Sequence, residues 1–187
     1  MEFINNNTKL AFAEALVLNT DAHLFLTGRA GTGKTTFLRS LREKTYKRMV
    51  VVAPTGVAAI NAGGQTIHSF FQLPFGPQIP EDGLSLAKTE IPSDGESLAF
   101  ENDRSKAATR ALAAQYQKLR KNKLNLMRSL DLLVIDEISM VRADVLDAID
   151  AVLRRSRRSQ KPFGGVQLLM IGDIHQLAPV AKAEEWE

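Results

Sequence analysis

Apolar residues fall along the chain in two rhythms. Short unbroken runs at Leu24–Thr27, Met49–Ala53, Leu132–Ile135 and Val166–Ile171 predict buried strands, being too brief for helices and lacking the alternation of a half-exposed strand. Between them, apolar positions three and four residues apart predict helices. Leu10, Phe12, Ala13, Leu16 and Val17 mark one apolar side over Met1–Thr20, and Phe37, Leu38 and Leu41 mark a helix that starts at Thr36 and ends near Lys44. Pro54, Thr55 and Gly56 stop the second strand sharply, ahead of a short helix through Val57, Ala58, Ala59 and Ile60. Gly63, Gly64 and a further element at Thr66–Phe71 follow, and Val145, Leu146, Ile149, Val152 and Leu153 mark a later amphipathic helix. Strands alternating with helices imply an α/β fold, a parallel sheet covered on both faces.

Composition changes this picture in three places. The stretch from Pro74 to Asp103 is rich in proline, glycine and acidic residues, reads as a long excursion, and gives way to a basic helical pattern at Ala107–Leu130. We therefore expect one domain over residues 1–187 with an irregular insertion around 74–125. The absence of cysteine excludes disulfide frameworks, thiolate zinc sites and cysteine nucleophiles, and fits a reducing compartment. No apolar run is long enough to span a bilayer and no leader pattern opens the chain, so an intracellular protein without a membrane partner is expected. The net charge of +3 is small, but Arg104–Arg128 contains no acidic residue and Arg154–Lys161 is basic again. Either run is a solvated helix face or a surface for nucleic acid.

The sharpest chemistry is in GRAGTGKT, Gly28–Thr35, a phosphate-binding loop placed between a predicted strand and a predicted helix. Glycines let backbone N–H groups approach phosphates closely, and the helix that follows turns its positive end to the same anion. Lys34 is placed to reach the β- and γ-phosphates of ATP and the Thr35 hydroxyl to ligate Mg²⁺. Gly28, Gly31, Thr32, Gly33, Lys34, Thr35 and Thr36 are the expected nucleotide contacts in this loop.

LLVIDE, Leu132–Glu137, is an apolar strand ending in two carboxylates at the edge where an open parallel sheet binds its ligand. Asp136 suits Mg²⁺, and Glu137 is then free to orient and deprotonate an attacking water. A further strand ends in GDIHQLAPV, Gly172–Val180, which sets Gln176 on the same edge, within reach of a γ-phosphate.

Taken in order, GRAGTGKT, APTGVAAINAGGQTIHSFF, LLVIDEISM and GDIHQLAPV resemble the motifs of the PIF-type (petite integration frequency) 5′-to-3′ DNA helicases of superfamily 1B, over most of the chain outside residues 74–125. The resemblance implies a RecA-like first motor domain working in genome maintenance in a bacterial cytoplasm, nucleus or mitochondrion. It gives Gly31, Gly33 and Lys34 to ATP phosphates, Thr35 and Asp136 to Mg²⁺, Glu137 to base catalysis and Gln176 to γ-phosphate sensing. It also gives Pro54, Thr55, Gly56, Thr66, His68 and Ser69 to the backbone of single-stranded DNA, a contact that hydroxyls and exposed N–H groups make without reading bases. Phe70 and Phe71 read as core packing in preference to base stacking.

No glutamine precedes Gln65, so the adenine contact is unassigned, and His175 and Ala178 depart from many relatives. The second RecA-like domain, with its arginine finger, is expected outside these residues, as part of a larger monomeric helicase. A fragment of this extent is expected to bind nucleotide, hydrolyse it poorly and leave duplex intact. Two other classes share parts of the pattern. A small-molecule or nucleotide kinase would transfer phosphate without responding to DNA, and a nucleotide-gated single-strand-binding module would bind ATP without hydrolysing it.

Overall fold

The structure, a computed structural model, describes residues 7–29, 31–74, 121–173 and 175–176. The predicted α/β architecture is present as five parallel strands in the order β1-β5-β4-β2-β3. These are β1 (Leu24–Thr27), β2 (Met49–Ala53), β3 (Gln65–Thr66), β4 (Leu132–Ile135) and β5 (Gln167–Gly172). The helices are α1 (Thr8–Asn19), α2 (Lys34–Lys44), α3 (Gly56–Asn61), α4 (Ile67–Phe71), α5 (121–129) and α6 (Ala143–Arg157).

The period of two along β4 divides the core. Leu132 and Val134 face α1 and α2, where Val17, Phe37, Leu38 and Leu41 are buried with Val51, Leu169 and Ile171. Leu133 and Ile135 face the other layer, where Phe70, Phe71, Met127, Ile149 and Leu153 are buried with Val52 and Leu168. Both faces of β4 are covered, which is why it reads as a continuous apolar run.

Four boundary or burial expectations are corrected. The helix expected over Met1–Thr20 begins at Thr8, because the Asn7 side chain accepts from the N–H groups of Lys9 and Leu10 at 3.2 and 3.4 Å and caps it there; residues 1–6 lie outside the described residues. Its buried stripe is Leu10, Ala13 and Val17, and Phe12, expected inside, is 66% exposed because position 12 lies off that stripe. The strand at Leu24–Thr27, expected to be buried, has one described neighbour, β5, and Phe25 is 46% exposed. The helix expected from Thr36 starts two residues earlier, at Lys34, and the Thr66–Phe71 element is a two-residue strand running into α4. The excursion at Pro74–Asp103 lies outside the described residues except for Pro74, and the basic pattern at Ala107–Leu130 is described only from residue 121, as a helix that ends before Leu130.

Polar clamps hold the amino ends of the strands. Arg48 donates to Asp131 through its main-chain N–H, Nε and one terminal nitrogen at 3.0, 2.7 and 2.7 Å, tying β2 to β4. Lys47 Nζ donates to Thr20 O and Gln167 Oε1 at 2.6 and 2.7 Å, joining the end of α1 to β5. Because every strand is parallel, the loops after β1, β2, β4 and β5 all emerge at the other end, and the site is assembled there.

Candidate functional site

The phosphate loop leaves β1 and turns into α2 through Gly31 and Gly33, at φ 79° and 88°, in the left-handed region where glycine is favoured. Gly28 N donates to Gly172 O at 3.3 Å, which fastens the loop to the end of β5, and Thr32 Oγ1 donates to Arg29 O at 2.8 Å. Lys34 Nζ donates to the carbonyls of Gly28 and Arg29 at 2.5 and 3.0 Å, so its ammonium rests inside its own loop. Thr35 faces a pocket of about 730 Å³, while Thr36 lies on the exposed first turn of α2 and does not line it.

Asp136, Glu137, Gln176 and Thr55 line that same pocket, so residues 141 positions apart in the chain share one space at the carboxyl edge of the sheet. Asp136 N donates to Val52 O at 2.9 Å, and its carboxylate accepts from Glu137 N at 3.1 Å. Burial pushes the Asp136 carboxyl above its ordinary value, against the pull of the Glu137 N–H and the Lys34 charge. Glu137 is raised too, first by burial, then by the charge of Asp136 and, less, of Asp173, with Lys34 opposing. Glu137, two residues past the end of β4, also has φ 53° and ψ 45°, a left-handed backbone at the entry to the turn Ile138–Met140.

Sequence reasoning missed Asp173, which is 4% exposed at the end of β5. Its carboxylate accepts from His175 N at 3.0 Å and its carbonyl from Gln176 N at 3.0 Å, so it folds the turn that presents Gln176 to the pocket. A lone Asp after glycine reads as turn chemistry, and only its burial separates it from a surface turn. Gly172 adds a close approach, since a Cβ there would meet Ile138 Cγ2 at 2.8 Å, seating the end of β5 against the residues after Glu137. Val57, Ala58, Asn61, Met140 and His175 complete the lining. Leu177–Val180 lie outside the described residues.

Donor chemistry at this site suits magnesium. Thr35 and Asp136 offer hard oxygens, and no group of three or more His, Cys, Asp or Glu able to hold a metal occurs among the described residues. A magnesium ion at these two oxygens would draw on phosphate and water for the rest of its ligands.

The residues expected on DNA divide. Thr55 Oγ1 accepts from Ala58 N at 3.2 Å and caps α3; Thr66 Oγ1 accepts from Ser69 N at 3.3 Å and caps α4. Accepting uses only a lone pair, so each hydroxyl keeps its O–H to donate to a phosphate. Pro54 is half-buried and Gly56 exposed at the same sheet edge, while Thr66, His68 and Ser69 stand beyond the pocket lining, Ser69 exposed and held by Lys123 Nζ on its carbonyl. Phe70 and Phe71 are 1% and 0% exposed and pack edge to face at 4.9 Å, which leaves neither for base stacking and bears out the core reading.

Comparison with known proteins adds to this geometry. The family model for PIF1-like helicases matches residues 4–91 and 107–186. ATP-dependent DNA helicase PIF1 of Saccharomyces cerevisiae is 37% identical over 167 residues, 86% of this chain and 16% of that protein. The crystal structure of Bacteroides sp. Pif1 with ADP-AlF4 superposes with a TM-score of 0.74 at 42% identity over 96% of this chain and 35% of that one. Bacteroides Pif1 bound to single-stranded DNA gives a TM-score of 0.73 at 42% identity, over 96% of this chain and 34% of that one. The chain thus spans about a sixth to a third of the length of these proteins.

Proposed function

The chain belongs to the PIF1-like helicase family, and from that premise we propose that it is the ATP-binding motor domain of a DNA helicase moving 5′ to 3′ along single-stranded DNA. One observation carries the reading: Thr35, Asp136, Glu137 and Gln176 line one pocket together with Thr55 of the expected DNA loop. Asp136 N donates to Val52 O, three residues before Thr55, so a change at the nucleotide has a short route to the strand. The solved relatives hold ADP-AlF4 in one case and single-stranded DNA in another, and both kinds of ligand are assigned here to this chain.

In this account Lys34 leaves the carbonyls of Gly28 and Arg29 for the β- and γ-phosphate oxygens, with the loop N–H groups and the start of α2 on the same anion. Thr35 and Asp136 would hold magnesium, which would neutralise phosphate charge. Glu137 takes the proton of the attacking water, and Gln176 holds its amide toward the γ-phosphate from the turn built on Asp173. Pro54, Thr55, Gly56, Thr66, His68 and Ser69 follow the DNA backbone. A second RecA-like domain contributes an arginine finger, worth about 10³–10⁵ in rate in related chemistry, so residues 1–187 alone turn over slowly and do not unwind. The protein acts as a monomer in whichever compartment holds its DNA.

Titrating a fluorescent ATP analogue and labelled oligo-dT against the protein carrying this domain tests the reading. Lys34→Ala should weaken nucleotide binding at least tenfold and leave oligo-dT binding salt-sensitive and intact. Unchanged nucleotide affinity in Lys34→Ala, or phosphate transfer to a small acceptor with no response to DNA, would overturn it.

A further inference from the structure

The opposite end of the sheet carries a second charged concavity that the mechanism above does not use. It has a volume of about 550 Å³ and is lined by Arg128 from the end of α5, Arg157 and Arg158 from the end of α6, Ser159, and Lys161 with Gly164 in the turn that feeds β5. β5 is six residues long, so at ~3.3 Å per residue this pocket lies roughly 20 Å from the nucleotide pocket. We propose that it is a second nucleic-acid site, which takes the phosphate backbone of duplex DNA. The proposal rests on the helicase reading and extends it.

Four cations line the pocket and no carboxylate does. Among the described residues, the nearby acids are occupied elsewhere: Asp131 by Arg48, and Asp150 by Arg154 and the main-chain N–H of Phe163. Complementing the negative end of α6 accounts for basic residues in its last turn. It does not account for Arg128, which comes from another helix, or for Lys161, which lies beyond the α6 terminus.

The concavity is also built rather than incidental. Arg157 donates to the carbonyls of Met127, Arg128, Leu130 and Gly164 at 3.1, 2.7, 2.9 and 2.9 Å, and Arg128 Nε donates to Ser156 O at 3.1 Å. These bonds lock α5, the entry to β4 and the turn before β5 around one guanidinium, whose charge also acts on Asp131, itself held by Arg48. Arg158 and Phe163 hold left-handed backbone at φ 52° and 50°, a conformation costly for both residue types. Arg158 and Lys161 are exposed, and among the described residues neither forms an ion pair with a carboxylate, so both are open to an external anion. Duplex DNA presents one negative charge per ~1.7 Å of axis and one strand one per ~3.4 Å, so four clustered cations match the denser anion. A single strand on the tracking loops stays at the other end of the sheet.

The test uses the protein carrying this domain with Arg128, Arg158 and Lys161 all changed to alanine, and Arg157 kept because it holds the scaffold. Blunt duplex and oligo-dT are titrated separately between 50 and 200 mM salt. The log–log salt slope for duplex should shrink by about 2–3, at ~0.9 per lost phosphate contact, with affinity at 0.1 M salt down roughly tenfold or more. Oligo-dT affinity and oligo-dT-stimulated ATP turnover should not change, and lysine at positions 128 and 158 should restore the duplex slope. An unchanged duplex slope, an equal loss on oligo-dT, or competition by polyglutamate as strong as by duplex would overturn the proposal. Failure of the helicase reading itself would instead show in the unaltered protein, as no response to oligo-dT.

Discussion

Glu137, two residues past the end of a buried strand, combines a left-handed backbone with a carboxyl that burial and the neighbouring Asp136 charge push above its ordinary value. A raised value means that the base form is lost at a higher pH than for an exposed glutamate, so the acid limb of turnover should lie above the ordinary glutamate range. Asp173→Asn keeps an acceptor for His175 N and removes one of the charges that raise Glu137, so that limb should move to lower pH in a pH–rate profile. Glu137→Gln should cut kcat by about 10²–10⁴ with nucleotide affinity retained. Asp136 and Glu137 were expected from a local run of sequence, and the structure places both on one pocket with Thr35. Asp173 was not expected, because burial and two main-chain hydrogen bonds make its role, and neither leaves a mark in GDIHQ.

β2, β4 and β5 were legible since strands covered on both faces are apolar along nearly their whole length, the clamped Gln167 at the start of β5 being an exception. β1 is equally apolar in sequence and sits with one described neighbour, because strand order depends on long-range pairing that no local pattern encodes. α4 places Phe71 at 0% exposure between β2 and α6, so Phe71→Ala should destabilise by about 3–5 kcal/mol in denaturant unfolding. The clamp from Arg48 holds the Asp131 carboxyl down at about 2, against an ordinary value of 3.8. Its stabilisation is full above 3.8 and lost as pH falls toward about 2. Thermal midpoints should therefore separate wild type from Asp131→Asn at neutral pH and converge at the acid end.

At the scale of the molecule, one sheet separates two jobs. Its carboxyl edge gathers the residues proposed for ATP and for the DNA strand, and its amino edge gathers polar clamps and the basic concavity. Motif order announced the first edge. The second required topology, since Arg128 and Lys161 are 33 positions apart and meet only because β4 and β5 are adjacent. The central claim is that nucleotide and DNA act on one another across the carboxyl edge. ATP turnover by the protein carrying this domain, with and without oligo-dT and with Glu137→Gln as control, tests it most directly. Stimulation by oligo-dT that fades steeply with added salt and is absent in Glu137→Gln is expected; turnover indifferent to DNA, with nucleotide binding intact, would contradict the coupling.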